Sequence, residues 1–165
     1  MVAETQSLEG ITSKVIGRDG YHYPLFDIEK SREVLSLEEV ERELGKIQVS
    51  YGLPDIFIMS DKKGSFRSWC FGEVKFTDYM RMQLDLLDAR ILDYNFSYWT
   101  MNKGEGTLRG DSKQNRPPQE LVSILHSYSV PIPERVKRAC YDTGIDKRGL
   151  TIFLGEKGRI LWGNN

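Results

Sequence analysis

Apolar and polar positions alternate along the chain in blocks, and the period of each block predicts an element. Ile11 to Ile16 alternates and is followed by Gly17-Arg18-Asp19-Gly20 and a second strand-like run, Tyr21 to Glu29. An Asp-Gly between two such runs predicts a hairpin, because the turn needs residues that tolerate positive φ. Ser36 with Glu39 three residues later forms a capping box, and Leu37, Val40, Leu44, Ile47 and Tyr51 recur at helical spacing. A helix is therefore expected through about Tyr51, stopped by Gly52 and Pro54.

A second hairpin is expected from Asp55 to Ser60, the turn Asp61-Lys62-Lys63-Gly64, and a longer returning strand from Ser65 to Phe76. Thr77 is placed to cap a helix carrying Met80, Leu84 and Leu87. The aromatic-rich run Ile91 to Met101 reads as a strand, with a short strand at Thr107-Leu108-Arg109 after a glycine-rich turn. Pro117-Pro118 is expected to open a helix through Leu125, and Pro133 another through Tyr141. Leu150 to Trp162 reads as a closing hairpin. This order predicts an α+β fold, a largely antiparallel sheet with flanking helices, in one domain spanning 1–165.

Composition narrows the class without deciding the chemistry. Hydrophobic residues make up 39% of the 165 and aromatics 11%, enough for an ordinary core. Only two cysteines are present, Cys70 and Cys140, which argues against a disulfide framework and fits a reducing, cytoplasmic setting. Met1 to Gly10 carries acids and no long apolar stretch, so neither a signal peptide nor a membrane span is expected. The net charge of −1 does not resemble a generic DNA-coating protein, yet carboxylates that hold cations could offset a basic groove, so bulk charge decides nothing about nucleic acid.

The most specific chemistry sits at Phe26-Asp27-Ile28-Glu29. In a strand, residues i and i+2 share a face, so Asp27 and Glu29 would present two carboxylates side by side. Such a pair repels unless a cation neutralises it, which suits Mg²⁺ or Mn²⁺. Asp93, expected on a later strand, could complete a set able to hold two metals for phosphoryl transfer. Ser65 and Arg67 on the hairpin, then Arg109, Lys113 and Arg116, supply groups that bind phosphates. The bland reading of each of these in isolation is a solvated strand end or basic loop.

Taken in order, these motifs resemble the archaeo-eukaryotic primase and primase-polymerase superfamily. Its first motif, an apolar strand ending in D-x-D/E, is matched by Leu25-Phe26-Asp27-Ile28-Glu29. Its S-x-H motif falls at Ser65-Phe66-Arg67, and its apolar-acid motif at Leu92-Asp93. An L-R element with a following lysine falls at Leu108-Arg109 and Lys113. The resemblance covers about 21–118. It implies that Asp27, Glu29 and Asp93 hold the metals, and that Ser65, Arg67, Arg109 and Lys113 hold a nucleoside triphosphate. A template-paired 3′-hydroxyl would attack it, on a DNA template or primer, with any helicase or other replication protein being a separate chain. Arg67 stands where the family has histidine, which leaves open a relative that binds nucleotides or nucleic acid without polymerising.

A rival pattern also stands in the sequence. Pro54-Asp55 and Glu73-Val74-Lys75 resemble the PD…ExK pattern of restriction-type nucleases, with Asp55, Glu73 and Lys75 as the site and Gln83 fitting loosely. His22 and His126 show no metal-ligand spacing. Trp69, Trp99 and Trp162 are expected to pack rather than to stack on bases.

Overall fold

The structure is a computed structural model that describes residues 10–15, 17–30, 33–109 and 120–128. Its centre is a four-stranded antiparallel sheet made of β3 (Leu25–Ile28), β5 (Phe66–Cys70), β4 (Ile56–Ser60) and β8 (Glu120–Leu125), in that spatial order. Between β3 and β4 runs α1 (Leu37–Tyr51), and after β5 runs α2 (Phe76–Asp88). The segment after α2 returns beside β3 through a single antiparallel bridge, Ile28 to Leu92. This is a split β-α-β arrangement, with β5 inserted between two strands that a helix connects.

Helix α1 forms where its sequence signals it. Ser36 accepts from the Glu39 amide at 3.2 Å while the Glu39 carboxylate accepts from the Ser36 amide at 3.0 Å. Such a cap contributes about 1 kcal/mol. Val40, Leu44 and Ile47 are buried, and Gly52, at φ 60°, ends the helix in a left-handed conformation. α2 begins differently. It starts at Phe76 with Lys75 in the capping position and no side-chain cap, so Thr77 does not cap it.

Register determines which residues face the helices. Phe26, Ser68, Ile58 and Ser123 stand in one row across the sheet. Ser123 donates to Glu41 of α1, and Tyr79 of α2 meets the Phe26 ring at 5.9 Å. The adjacent rows, Leu25-Trp69-Phe57-Ile124 and Asp27-Arg67-Met59-Leu121, point to the opposite face. That face is aromatic: Phe71 lies 5.9 Å from both Tyr23 and Phe57. Apolar residues on both faces explain why every residue of β4 is buried.

Two small sheets flank this centre. β1 (Gly10–Thr12) pairs with β7 (Thr107–Arg109), and β2 (Tyr21–His22) pairs with β6 (Val74–Lys75). The expected first hairpin exists only in part. The chain turns through Gly17 and Gly20, both at positive φ, and Lys14 bridges His22, but Gly10–Thr12 pairs with β7 instead. Ser13 locks that seam: its amide donates to the Gly106 carbonyl at 2.8 Å, and its Oγ accepts from the Gly106 amide at 2.9 Å. The returning strand of the second hairpin is also shorter than expected. It stops at Cys70, and Val74–Lys75 belongs to a different sheet.

Two further expectations are corrected. Residues 91–101 do not form a strand: Leu92 makes one bridge and α3 (Tyr94–Lys103) follows. Aromatic content signalled a strand, yet Phe96, Ser97 and Thr100 are the buried set, which is helical spacing. Residues 120–125 are a strand and not the end of a helix opened by Pro117-Pro118. β4 is buried and pairs with β5 on one side, so its other edge needs a partner, and Val122 and Ile124 suit that role. The helix expected from Pro133 and the hairpin from Leu150 lie outside the described residues. Among the described residues no helix is long and apolar enough to cross a membrane.

Candidate functional site

The residues singled out on β3 meet their expected companions from both sides. Asp27 is directly opposite Arg67 of β5, and the Arg67 Nε lies 3.9 Å from an Asp27 carboxylate oxygen. On the other side of β3, the Asp93 amide donates to the Asp27 carbonyl at 3.1 Å, and the Glu29 amide donates to the Ile91 carbonyl at 3.0 Å. Three segments far apart in sequence thus place Asp93, Asp27 and Arg67 in one transverse row. Asp27 and Arg67 are half-buried, at 28% and 17% side-chain exposure, so their charges interact more strongly than a surface pair would.

Asp93 is not on a strand. It is the N-cap of α3, and its carboxylate accepts from the Asn95 amide at 3.1 Å. Ser65 lies at the foot of the β4–β5 hairpin. There Asp61 accepts from the Lys63 amide at 2.8 Å and the Ser65 amide at 3.2 Å, which orders the turn. Lys62 takes φ 60° at the tip and pairs with Glu120 at 2.6 Å. Lys30, just past Glu29, pairs with Glu33 at 2.9 Å and sits 3.8 Å from Glu39. Arg109 ends β7, which lies against β3; Lys113 and Arg116 are outside the described residues.

The three carboxylates do not form a ready cage. Among the described residues no group of three histidine, cysteine or carboxylate side chains converges on one point. The physical reason is visible in their commitments. Asp93 is capping a helix, Asp27 lies beside Arg67, and Glu29 is exposed beyond the strand end.

The rival constellation is distributed otherwise. Asp55, at the start of β4, is buried and accepts from the Ser127 amide at 2.8 Å, with His126 Nδ1 3.0 Å away. Glu73 pairs with Arg18, and Lys75 is exposed on β6, in the sheet shared with β2. Gln83 is buried and accepts from Ser97 at 2.8 Å. Asp55 and Glu73 therefore each have a partner of their own.

No family model, curated protein or solved structure matches the chain.

Several polar groups gained roles that spacing did not signal. His22 is buried against Phe76 and Tyr79, with Nδ1 2.8 Å from the Ser13 hydroxyl. Burial, aided by Lys14, holds its pKa below the ordinary histidine value. Cys70 is fully buried and its thiol is pushed up to about 12, so it is no nucleophile. Trp69 packs as expected, but Trp99 does not: it is 56% exposed on α3.

Proposed function

We propose that the chain binds a nucleoside triphosphate together with Mg²⁺ or Mn²⁺, as a nucleotidyltransferase of the primase-polymerase kind acting on a DNA template or primer. The observation that carries this reading is the transverse row of Asp93, Asp27 and Arg67, assembled from three separate segments.

The chemistry follows from the charges. Arg67 offers a permanent cation with paired donors to phosphate oxygens, and Asp27, Glu29 and Asp93 offer anions to the cations accompanying them. Mg²⁺ or Mn²⁺ held by Asp27, Glu29 and Asp93 would neutralise charge on the triphosphate and would make the attacking hydroxyl more acidic. In the proposed reaction a 3′-hydroxyl would give up its proton to solvent as its oxygen bonds to the α-phosphorus, and the bond to the bridging oxygen would break, releasing pyrophosphate. Ser65, in the turn just before β5, is the proposed hydroxyl donor to the phosphates. Arg109 and Lys113 complete the proposed phosphate set. A reducing, cytoplasmic compartment is the setting in which the buried free thiol of Cys70 is at home.

The test is calorimetric titration of a nucleoside triphosphate with Mn²⁺ into the wild type and Asp27→Ala. Metal-dependent binding that vanishes in the variant is the expected result. A wild type that binds nothing under these conditions sinks the proposal, and metal-dependent DNA cleavage lost in Asp55→Ala and Glu73→Ala would replace it with the nuclease reading.

A further inference from the structure

Helix α3 differs from the other described helices in both charge and exposure. α1 carries Glu38, Glu39, Glu41 and Glu43, and α2 carries Asp78, Asp85 and Asp88. α3 has no carboxylate between Tyr94 and Lys103, and its only charged residue is Lys103. On its outer side stand Tyr94, Tyr98 and Trp99, at 68%, 45% and 56% exposure. Their rings form a connected row. Tyr94 and Tyr98 are stacked at 6.5 Å, Tyr98 meets Trp99 edge-on at 5.5 Å, and the Lys103 ammonium lies 5.7 Å from the Trp99 ring centre.

We infer that the exposed Tyr94-Tyr98-Trp99 row of α3, with Lys103, is a stacking platform for single-stranded nucleic acid. Large π faces held in water are poor at stabilising a fold but good at stacking bases, and stacking tolerates any sequence because every base has a face. A helix free of carboxylates with a cation at its end complements a polyanion, whereas the glutamates of α1 would repel one. Asn95 adds a neutral polar group on the same exposed surface, and Asn102 donates to the Tyr98 carbonyl beneath the row. The platform is tied to the candidate site, since α3 is capped by Asp93, whose amide is bonded to Asp27. The inference rests on the nucleotide-handling reading for its choice of polymer: a strand lying on α3 leads toward the Asp27 row.

The test uses the full chain and a fluorescein-labelled oligothymidylate of about 20 nucleotides, followed by anisotropy in EDTA. Stacking needs no divalent ion, so binding is expected without metal. Trp99→Ala and Tyr98→Ala should each weaken it by about 5- to 150-fold, the loss expected for one stacked base, while Trp99→Phe retains most of it. Both positions are exposed, and unchanged circular dichroism will confirm that the fold is kept. Absent oligonucleotide binding, or binding that ignores both alanine variants, overturns the inference. So does sedimentation showing that the row instead holds two copies of the chain together and that Trp99→Ala separates them. Triphosphate titrations of the same variants separate the two claims. A wild type that binds the oligonucleotide but no Mn²⁺-triphosphate sinks the proposed function and leaves the platform standing.

Discussion

The two ends of the central sheet carry similar residues in opposite situations. At one end Asp55 is buried and satisfied by the Ser127 amide and His126, and its role is complete within the fold. At the other end Asp27 is half-exposed, pressed between the Arg67 side chain and the backbone of Asp93, with Glu29 reaching past the strand. A carboxylate whose acceptor sites are filled by the protein's own donors is holding structure together. Asp27 instead stands opposite a cation, Arg67, in the row on which the proposed nucleotide site rests.

Four measurements would break or sharpen that contrast. The largest effect is expected at the open end, where Asp27→Ala abolishes metal-dependent triphosphate binding while unfolding stability moves by no more than about 1 kcal/mol. At the closed end, Asp55→Ala should cost about 1–3 kcal/mol in denaturant unfolding, since it removes the acceptor of the half-buried Ser127 amide, and should not touch triphosphate binding. If the two variants exchange these phenotypes, the assignment of the ends is reversed.

Asp93 belongs to both categories, and substitution can split them. Asp93→Ala should lose the cap of α3, about 1 kcal/mol, and the nucleotide affinity. Asp93→Asn keeps a capping oxygen and should recover the stability without recovering the affinity. Equal recovery of both would mean that Asp93 acts only through the helix. The smallest expected effect concerns the histidines. His22 has a folded pKa below its ordinary 6.5, so the unfolded chain takes up the proton first. Stability should be full above pH 6.5 and decline as the pH falls below it. His22→Gln should flatten that slope in urea titrations, and a slope that survives the change would have to come from another group.

The sequence displayed the elements better than their partners. α1 was legible because its cap, its apolar stripe and its terminal glycine agree. The run 91–101 was not, because exposed aromatics on a helix imitate the composition of a strand. Their exposure is a tertiary fact that no spacing reveals. β8 was misread because a pair of prolines marks a helix start only when nothing nearby needs an edge strand. Of the candidate site, the same-face logic paired Asp27 with Glu29, whereas the pairing of Asp27 with Arg67 is a matter of strand register that spacing does not specify. What it missed was Asp93 as a helix cap and the commitments of Asp55 and Glu73, both fixed by distant segments.

The seam between β1 and β7 has a consequence for how the chain reaches this state. It joins residues 93 apart in sequence through Ser13 and Gly106, whereas β4 and β5 meet across a five-residue turn. Loop-closure entropy favours the near pairing first, so the hairpin and its helices should collect before the seam shuts. An interaction made after the rate-limiting step slows unfolding without hastening folding. On that order of events Ser13 would act as a kinetic latch, setting how long the native state persists more than how fast it is found.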